Sequence, residues 1–207
     1  MKVSLPGHRA PSVGTEVSLE MLAACHERVA QQCRTLQRLA AHLSSNGADM
    51  QAREAATAVM RYFDTAAPHH HADEEVDLFP ALIESMAGSD AVCLRDLTAA
   101  LTRDHRELEQ RWRALRATLE QVAAGAPAGL TGDDVDAFVG LYERHIEREE
   151  TELLPMAKRL LSDGELDRIG HAMRLRRGIA STEPDAALPT SSGSSAARPR
   201  STRRTER

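Results

Sequence analysis

A pattern of histidine and glutamate residues occurs twice in this chain. The first copy runs from His70 to Pro80 and the second from His145 to Pro155, and both read H-x-x-x-E-E-x-x-L-[FL]-P. In each copy a histidine precedes a glutamate by four residues, which places the two side chains on one face of a helix. Imidazole nitrogen beside carboxylate oxygen is a donor set that suits a transition metal. The repeat therefore predicts a metal site shared between two helices.

A single histidine also lies upstream of each copy. His26 precedes the first copy, and His105 precedes the second. The chain is therefore predicted to form two helical hairpins, each supplying one lone histidine and one His/Glu pair. The candidate metal ligands are His26, His70, Glu74, His105, His145 and Glu149.

The hydrophobic pattern predicts that these candidates face the core of a helical bundle. His26 falls between Leu22 and Val29 at the steps of three and four residues that are typical of a buried seam. His105 has the equivalent place on the third helix. Burying an unpaired carboxylate or imidazolium costs several kcal/mol, so six such groups in a core require a compensating charge. A pair of metal ions would supply it.

The remaining histidines and a further glutamate lack this support. His69 and His71 flank His70 and are expected to point elsewhere on the helix. His71 and Glu75 are also four residues apart, but they lie about 100° around the helix from the core stripe, so we interpret them as a solvated pair. Glu109 follows the lone histidine of the third helix by four residues. It is a further ligand, a partner of that histidine, or, more simply, part of a solvated face.

Length and composition indicate a soluble helical protein in the cytoplasm. The chain has 207 residues, a net charge of −5 and only 3% aromatic residues. The abundance of Leu and Ala favours helices over sheets. No apolar run reaches the roughly 18 residues of a membrane span, and residues 1–15 lack the apolar core of a signal peptide. Three cysteines without close spacing favour a reducing compartment.

Turn and capping residues divide the chain into an irregular arm at 1–16, a bundle at 17–177 and a disordered basic tail, rich in Ser, Thr and Arg, at 178–207. Pro68 is expected to kink or restart the second helix. Thr131 with Asp134 resembles a capping box that opens the fourth helix. The long helices are expected at about 17–43, 49–86, 91–124 and 131–161, with a short fifth helix ending near 176.

With these residues in place, the chain resembles the bacterial hemerythrin-like (HHE cation-binding) domains over about residues 17–177. The resemblance rests on the twin repeats and on the single histidines of helices one and three. It implies an all-α fold, an up-down four-helix bundle that holds two non-haem iron ions (Fe²⁺/Fe³⁺) with an oxo or hydroxo bridge. It further implies four terminal ligands, His26, His70, His105 and His145, and two bridging carboxylates, Glu74 and Glu149.

One departure from the oxygen-carrying hemerythrins concerns the third helix. Those proteins have two ligand histidines four residues apart there, whereas Leu101 stands four residues before His105 here. The resemblance therefore implies a more open and more water-accessible metal, and it argues against stable, reversible oxygen carriage.

The predicted function is capture of O₂, NO or peroxide by a di-iron centre, in sensing, scavenging or stress response. One alternative is a di-iron peroxidase or NO reductase-like enzyme, although no catalytic residue beyond the metal ligands is assigned. Another is an iron-dependent regulatory module that engages a protein partner through the basic tail. A structural zinc bundle is also open, but zinc usually takes four ligands rather than six. Neither a membrane nor a nucleic acid is expected as a partner.

Overall fold

The computed structural model describes residues 17–86, 90–127 and 129–179. In these segments the chain forms helices and turns without any β-strand, which confirms the all-α prediction. The α-helices are α1 (Val17–Asn46), α2 (Met50–Ala72), α3 (Phe79–Ser85), α4 (Asp90–Ala123), α5 (Gly132–Arg148), α6 (Leu154–Leu160) and α7 (Asp163–Arg176). Two π-helical segments join them: Asp73–Leu78 connects α2 to α3, and Glu149–Leu153 connects α5 to α6. The predicted arm at 1–16 lies outside the described residues, as does nearly all of the predicted basic tail.

The four long helices form the predicted up-down bundle. α1 packs against α2 and α5, and α4 packs against the same two helices, so the four close into a ring. Short connections between neighbours make consecutive helices antiparallel. Side-chain caps begin three of the helices: Asp49 accepts a hydrogen bond from the Ala52 N–H, Thr131 from the Asp134 N–H and Ser162 from the Glu165 N–H.

No helix in the described part of the chain carries an apolar stretch long enough to cross a bilayer.

The apolar core consists of two clusters that lie on either side of a polar layer. One cluster is built around Phe63 and Phe138, and the other around Leu22 and Leu101. On each long helix the candidate ligands fall between a residue of one cluster and a residue of the other. Access of bulk water to this layer is therefore restricted from both ends of the bundle.

Pro68 does not make the second helix end and restart, which was one of the two effects expected of it. α2 continues through it to Ala72. Proline removes one backbone N–H and so leaves the carbonyl of residue 64 without its helical partner. Residues 64 and 68 both lie on the exposed side of α2, where water can satisfy that carbonyl.

The chain departs from α-helical geometry further on, in the two π-helical segments. The Phe79 N–H donates to the carbonyl of Glu74, and the Leu154 N–H donates to the carbonyl of Glu149, both across five residues. A proline follows each donor, and in an α-helix its ring would crowd the carbonyl four residues earlier. The wider π turn relieves that crowding, and such turns are frequent at functional sites. The proline that ends each sequence repeat thus favours a π-helical turn that contains the candidate glutamate.

Candidate metal centre

The bundle brings all six predicted residues into one buried layer. His26 comes from α1, His70 from α2, His105 from α4 and His145 from α5, while each glutamate is at or near the start of a π-helical segment. None of the six is more than 2% exposed. Their ligand atoms form two overlapping groups, each within 4.8 Å, and both groups contain both carboxylates.

Glu74 lies between a histidine of the first hairpin and one of the second. Its Oε1 is 3.3 Å from His70 Nε2, and its Oε2 is 3.2 Å from His105 Nε2. The two oxygens of this carboxylate therefore face different histidine pairs. The first pair is His26 and His70, and the second pair is His105 and His145.

Glu149 repeats this arrangement from the opposite side of the layer. Its Oε2 is 3.1 Å from His26 Nε2, and its Oε1 is 3.0 Å from His145 Nε2. Each carboxylate thus spans from the first histidine pair to the second. The result is two neighbouring four-donor sets, each with two imidazole nitrogens and one oxygen from each glutamate.

Most inward-facing atoms of this layer make no well-formed hydrogen bond among the described residues. Both oxygens of Glu74, both oxygens of Glu149 and Nε2 of His26 are fully buried, and their close contacts with one another and with the other imidazoles lack hydrogen-bond geometry. Buried polar atoms without partners are costly and rare in folded proteins. Here their lone pairs converge from four helices, which is the arrangement that a bound cation stabilises. The residues present therefore fit a pair of metal ions.

The second glutamate of each repeat contacts the lone histidine of the other hairpin. Glu75 Oε1 is 2.7 Å from His105 Nδ1, and Glu150 Oε1 is 3.1 Å from His26 Nδ1. An Nδ1–H that donates to a carboxylate leaves Nε2 as a lone pair directed into the layer. These roles were not predicted from the sequence, although the doubled glutamate in both repeats was the available signal.

Loss of the Glu75 carboxylate should weaken metal binding without disturbing the fold. We expect Glu75→Ala to lower metal affinity about 10- to 100-fold, because carboxylates that orient a ligand histidine contribute at that level. Glu150→Ala should have the smaller effect, since Glu150 is 50% exposed and Glu75 only 21%. Competition titrations with a chelator measure the affinity, and Glu107→Ala on the exposed face of α4 is the control. Equal affinities in all four proteins would contradict this role.

Burial sets the charge state of the metal-free layer. It lowers the pKa of His70 to about 3 and also lowers that of His105, so these imidazoles are neutral and able to ligate. Burial and the neighbouring charge of Glu149 hold the pKa of Glu74 well above its usual value. Burial acts on Glu149 in the same direction, but contacts with His145 and His26 outweigh it and leave its pKa well below the usual value. Without metal, Glu74 therefore holds a proton more readily than Glu149 does.

The interpretation of His71 as a solvated neighbour of the site is wrong. Its ring stacks on that of His105, with centroids 4.0 Å apart and planes 12° from parallel. Its Nε2 is buried without a hydrogen-bond partner, and its ligand atom lies within 4.8 Å of those of His105 and His145. The layer was expected to be open beside His105, because Leu101 stands four residues before it in place of a second histidine. The ring of His71 lies at this position as a fifth imidazole. Helix periodicity missed it because α4 packs over this flank of α2.

Glu109 and Cys25 belong to neither of the two donor sets. Glu109 forms an ion pair with Arg113 at 2.7 Å on the exposed face of α4, which agrees with its interpretation as a solvated residue. Cys25 is buried and free, and it belongs to none of the described groups that could hold a metal.

Comparison with known proteins agrees with the geometry. The model of the hemerythrin HHE cation-binding domain matches residues 17–157, a range that contains all six predicted residues. An uncharacterized protein of Haemophilus influenzae is 32% identical over 161 residues, which span 78% of this chain and 90% of that relative. The resemblance inferred from the twin repeats is thereby confirmed.

Proposed function

Because the chain belongs to the hemerythrin HHE cation-binding family, we propose that it is a non-haem di-iron protein that captures O₂, NO or peroxide. Its role would be in sensing, scavenging or stress response. Two buried and one exposed free cysteine support a reducing compartment, and we place the protein in the cytoplasm.

The observation that carries this proposal is the position of the two carboxylates between the histidine pairs. Each glutamate directs one oxygen to the first pair and the other oxygen to the second. A single ion would use only one oxygen of each, whereas two ions use all four. The two proposed sites are His26, His70 and one oxygen of each glutamate, and His105, His145 and the other oxygens.

The pairing of two sites that share both carboxylates favours two iron ions over one structural zinc ion. Imidazole and carboxylate ligands suit iron, and four protein donors per ion leave coordination positions for a small ligand. A ferrous pair would supply electrons and such a position to O₂, NO or peroxide. Burial keeps the pKa of His70 and His105 low, Glu75 and Glu150 orient His105 and His26, and apolar clusters shield the layer on both sides.

The decisive experiment measures metal content per chain on untagged protein, together with absorption spectra before and after air exposure. We expect two irons per chain in the wild-type protein and oxidation-dependent near-ultraviolet bands. The double variant His70→Ala/His145→Ala removes one imidazole from each proposed site and should lose the metal. His42→Ala/His69→Ala, which changes two histidines outside the layer, should retain it. Full iron content in the first double variant, or a single zinc in the wild type, would overturn the proposal.

The number of ligand molecules consumed per iron pair distinguishes a protein that captures its ligand from an enzyme that turns it over. A capturing protein consumes about one equivalent of NO or peroxide per iron pair and then stops, even when a reductant is present. Sustained turnover under the same conditions would favour the enzymatic alternative.

A further inference from the structure

A surface cavity between α2 and α4 leads towards the buried layer. Its volume is about 250 Å³, and its lining includes Pro68, His71, Glu75, Arg106 and Glu109. Arg106 is 59% exposed and forms an ion pair with Glu75, so the cavity is polar and solvated on this side. A space of this size admits a molecule of a few heavy atoms.

Two residues that line this cavity, Glu75 and His71, also contact His105 of the candidate site, and of these His71 makes its contact through a stacked ring. Its ring lines the cavity and stacks on His105, while its Nε2 is buried and has no hydrogen-bond partner in the described structure. The ring of His145 is 6.3 Å away, at 80° to that of His71. One imidazole therefore contacts both the solvated cavity and the second histidine pair.

The stacked geometry argues against His71 and His105 binding the same ion in this conformation. A metal bound to an imidazole nitrogen lies close to the plane of that ring. Because the two planes are nearly parallel and are separated by the stacking distance, an ion in the plane of His105 lies off the plane of His71. The unpaired Nε2 is thus free to contact a molecule that arrives beside the metal.

We propose that this cavity is the port through which a small ligand with hydrogen-bond acceptor atoms reaches the metal pair. His71 closes the inner end of the port and hydrogen-bonds the ligand once it has entered. This inference rests on the di-iron function proposed above and adds the route and the residue that contacts the ligand. Behind His71 the layer is enclosed by buried side chains, so a diatomic or a comparably small anion is the class of ligand that we expect to pass from the port to the metals.

The port is tested with azide as the probe on the iron-loaded protein. Ala72→Phe places a ring in the cavity, because Ala72 also lines it. We expect this variant to slow azide association at least about tenfold in stopped-flow absorbance, with iron content unchanged. Ala58→Phe is the matched control, because Ala58 lies on the same helix and lines a separate surface cavity. Equal association rates for Ala72→Phe and the wild-type protein would overturn the port.

The role of His71 is tested with two substitutions. His71→Phe retains a stacked ring but removes the nitrogens, and should weaken azide binding about tenfold through the lost hydrogen bond. His71→Ala opens the inner end of the port and should speed both association and dissociation. On metal-free protein, carbethoxylation mapped by mass spectrometry should modify His71 more readily than His70 or His105. Unmodified His71, or azide affinity unchanged in His71→Phe, would contradict the proposal.

Iron content distinguishes the possible failures. Loss of iron in both His71 variants would identify His71 as a metal ligand. It would overturn the proposal that His71 closes the port and contacts the entering ligand. If the wild-type protein itself bound no iron pair, the di-iron function would fail and the port would fail with it. The iron content shows this outcome before any azide is added.

Discussion

Removal of the metal is expected to lower the midpoint of thermal unfolding of the wild-type protein by about 10 °C. A ligand that binds only the folded state stabilises it by about 4 kcal/mol at a thousand times its dissociation constant, and 1 kcal/mol shifts the midpoint by about 2–4 °C for a chain of this size. The proposed sites exist only in the folded chain, because their donors come from four helices. Thermal scans of loaded and chelator-treated protein measure the difference.

Glu74→Gln should remove most of this difference while leaving the metal-free protein nearly unchanged. In the metal-free protein, burial and the charge of Glu149 raise the pKa of Glu74 well above its usual value, so the carboxyl holds a proton more readily than an exposed glutamate does. Glutamine has the shape of that protonated group, and we expect the metal-free variant to be within about 1 kcal/mol of the metal-free wild type. It cannot offer an anionic oxygen to each histidine pair, so both proposed ions lose a ligand.

The matched control is Glu107→Gln, the same substitution at an exposed position of α4 where Glu107 pairs with Arg111. This protein should retain the full metal-dependent shift. A chelator-treated wild type that unfolds at the same temperature as the loaded protein would contradict the metal-linked stability. A metal-free Glu74→Gln protein that is several kcal/mol less stable would contradict the raised pKa of Glu74.

The six central residues could be predicted because their chemistry and spacing are both local properties of the chain. His70 with Glu74, and His145 with Glu149, have the helical spacing, and the interruption of an apolar seam shows that His26 and His105 face inward. The range matched by the family model contains all six residues.

The parts that were missed depend on contacts between helices. Glu75 meets His105 on α4, and Glu150 meets His26 on α1, so neither contact is encoded in the spacing of one helix. His71 lies off the core stripe of α2 and is covered only because α4 packs beside it.

The fold was predictable in outline and less so where backbone geometry departs from the α-helix. Helix propensity and turn residues place the long helices correctly, to within a few residues. Pro68 was expected to interrupt α2, but its exposed position lets the helix continue. The prolines at 80 and 155 have the greater effect, because they follow the π-helical segments beside the candidate glutamates.

Asp73 should contribute more to the stability of the metal-free fold than the exposed carboxylates do. Its side chain is fully buried and is paired with both Arg176 and Arg177 at the end of α7. Removing one partner of a buried ion pair typically costs 3–5 kcal/mol, because the remaining charge is left without compensation. Both arginine side chains are 20% exposed and Arg176 keeps Asp77 as a second partner, and both facts reduce that cost. We therefore expect Asp73→Ala to lower the free energy of unfolding by about 3 kcal/mol.

Chemical denaturation of the metal-free proteins measures this cost, and Asp136→Ala is the control. Asp136 is an exposed helical aspartate that accepts a hydrogen bond from Gln37, so its replacement should change stability by no more than about 0.5 kcal/mol. A double-mutant cycle with Arg177→Ala isolates the pair: the double variant should be clearly more stable than the sum of the single losses predicts. Additive losses would show that Asp73 and Arg177 do not act together.

The same substitution should act on the candidate site through the backbone. Asp73 directly precedes Glu74, and its two arginines fix the start of the first π-helical segment against α7. When these contacts are lost, the amides of α7 should exchange hydrogen faster, because α7 packs only against α1 and this segment among the larger contacts of the described bundle. The largest increase is expected in α7 and the first π-helical segment, beyond the increase that the lower free energy of unfolding gives to amides that exchange by global unfolding. Uniformly faster exchange across the bundle would instead show that Asp73 stabilises the whole fold and does not specifically position Glu74.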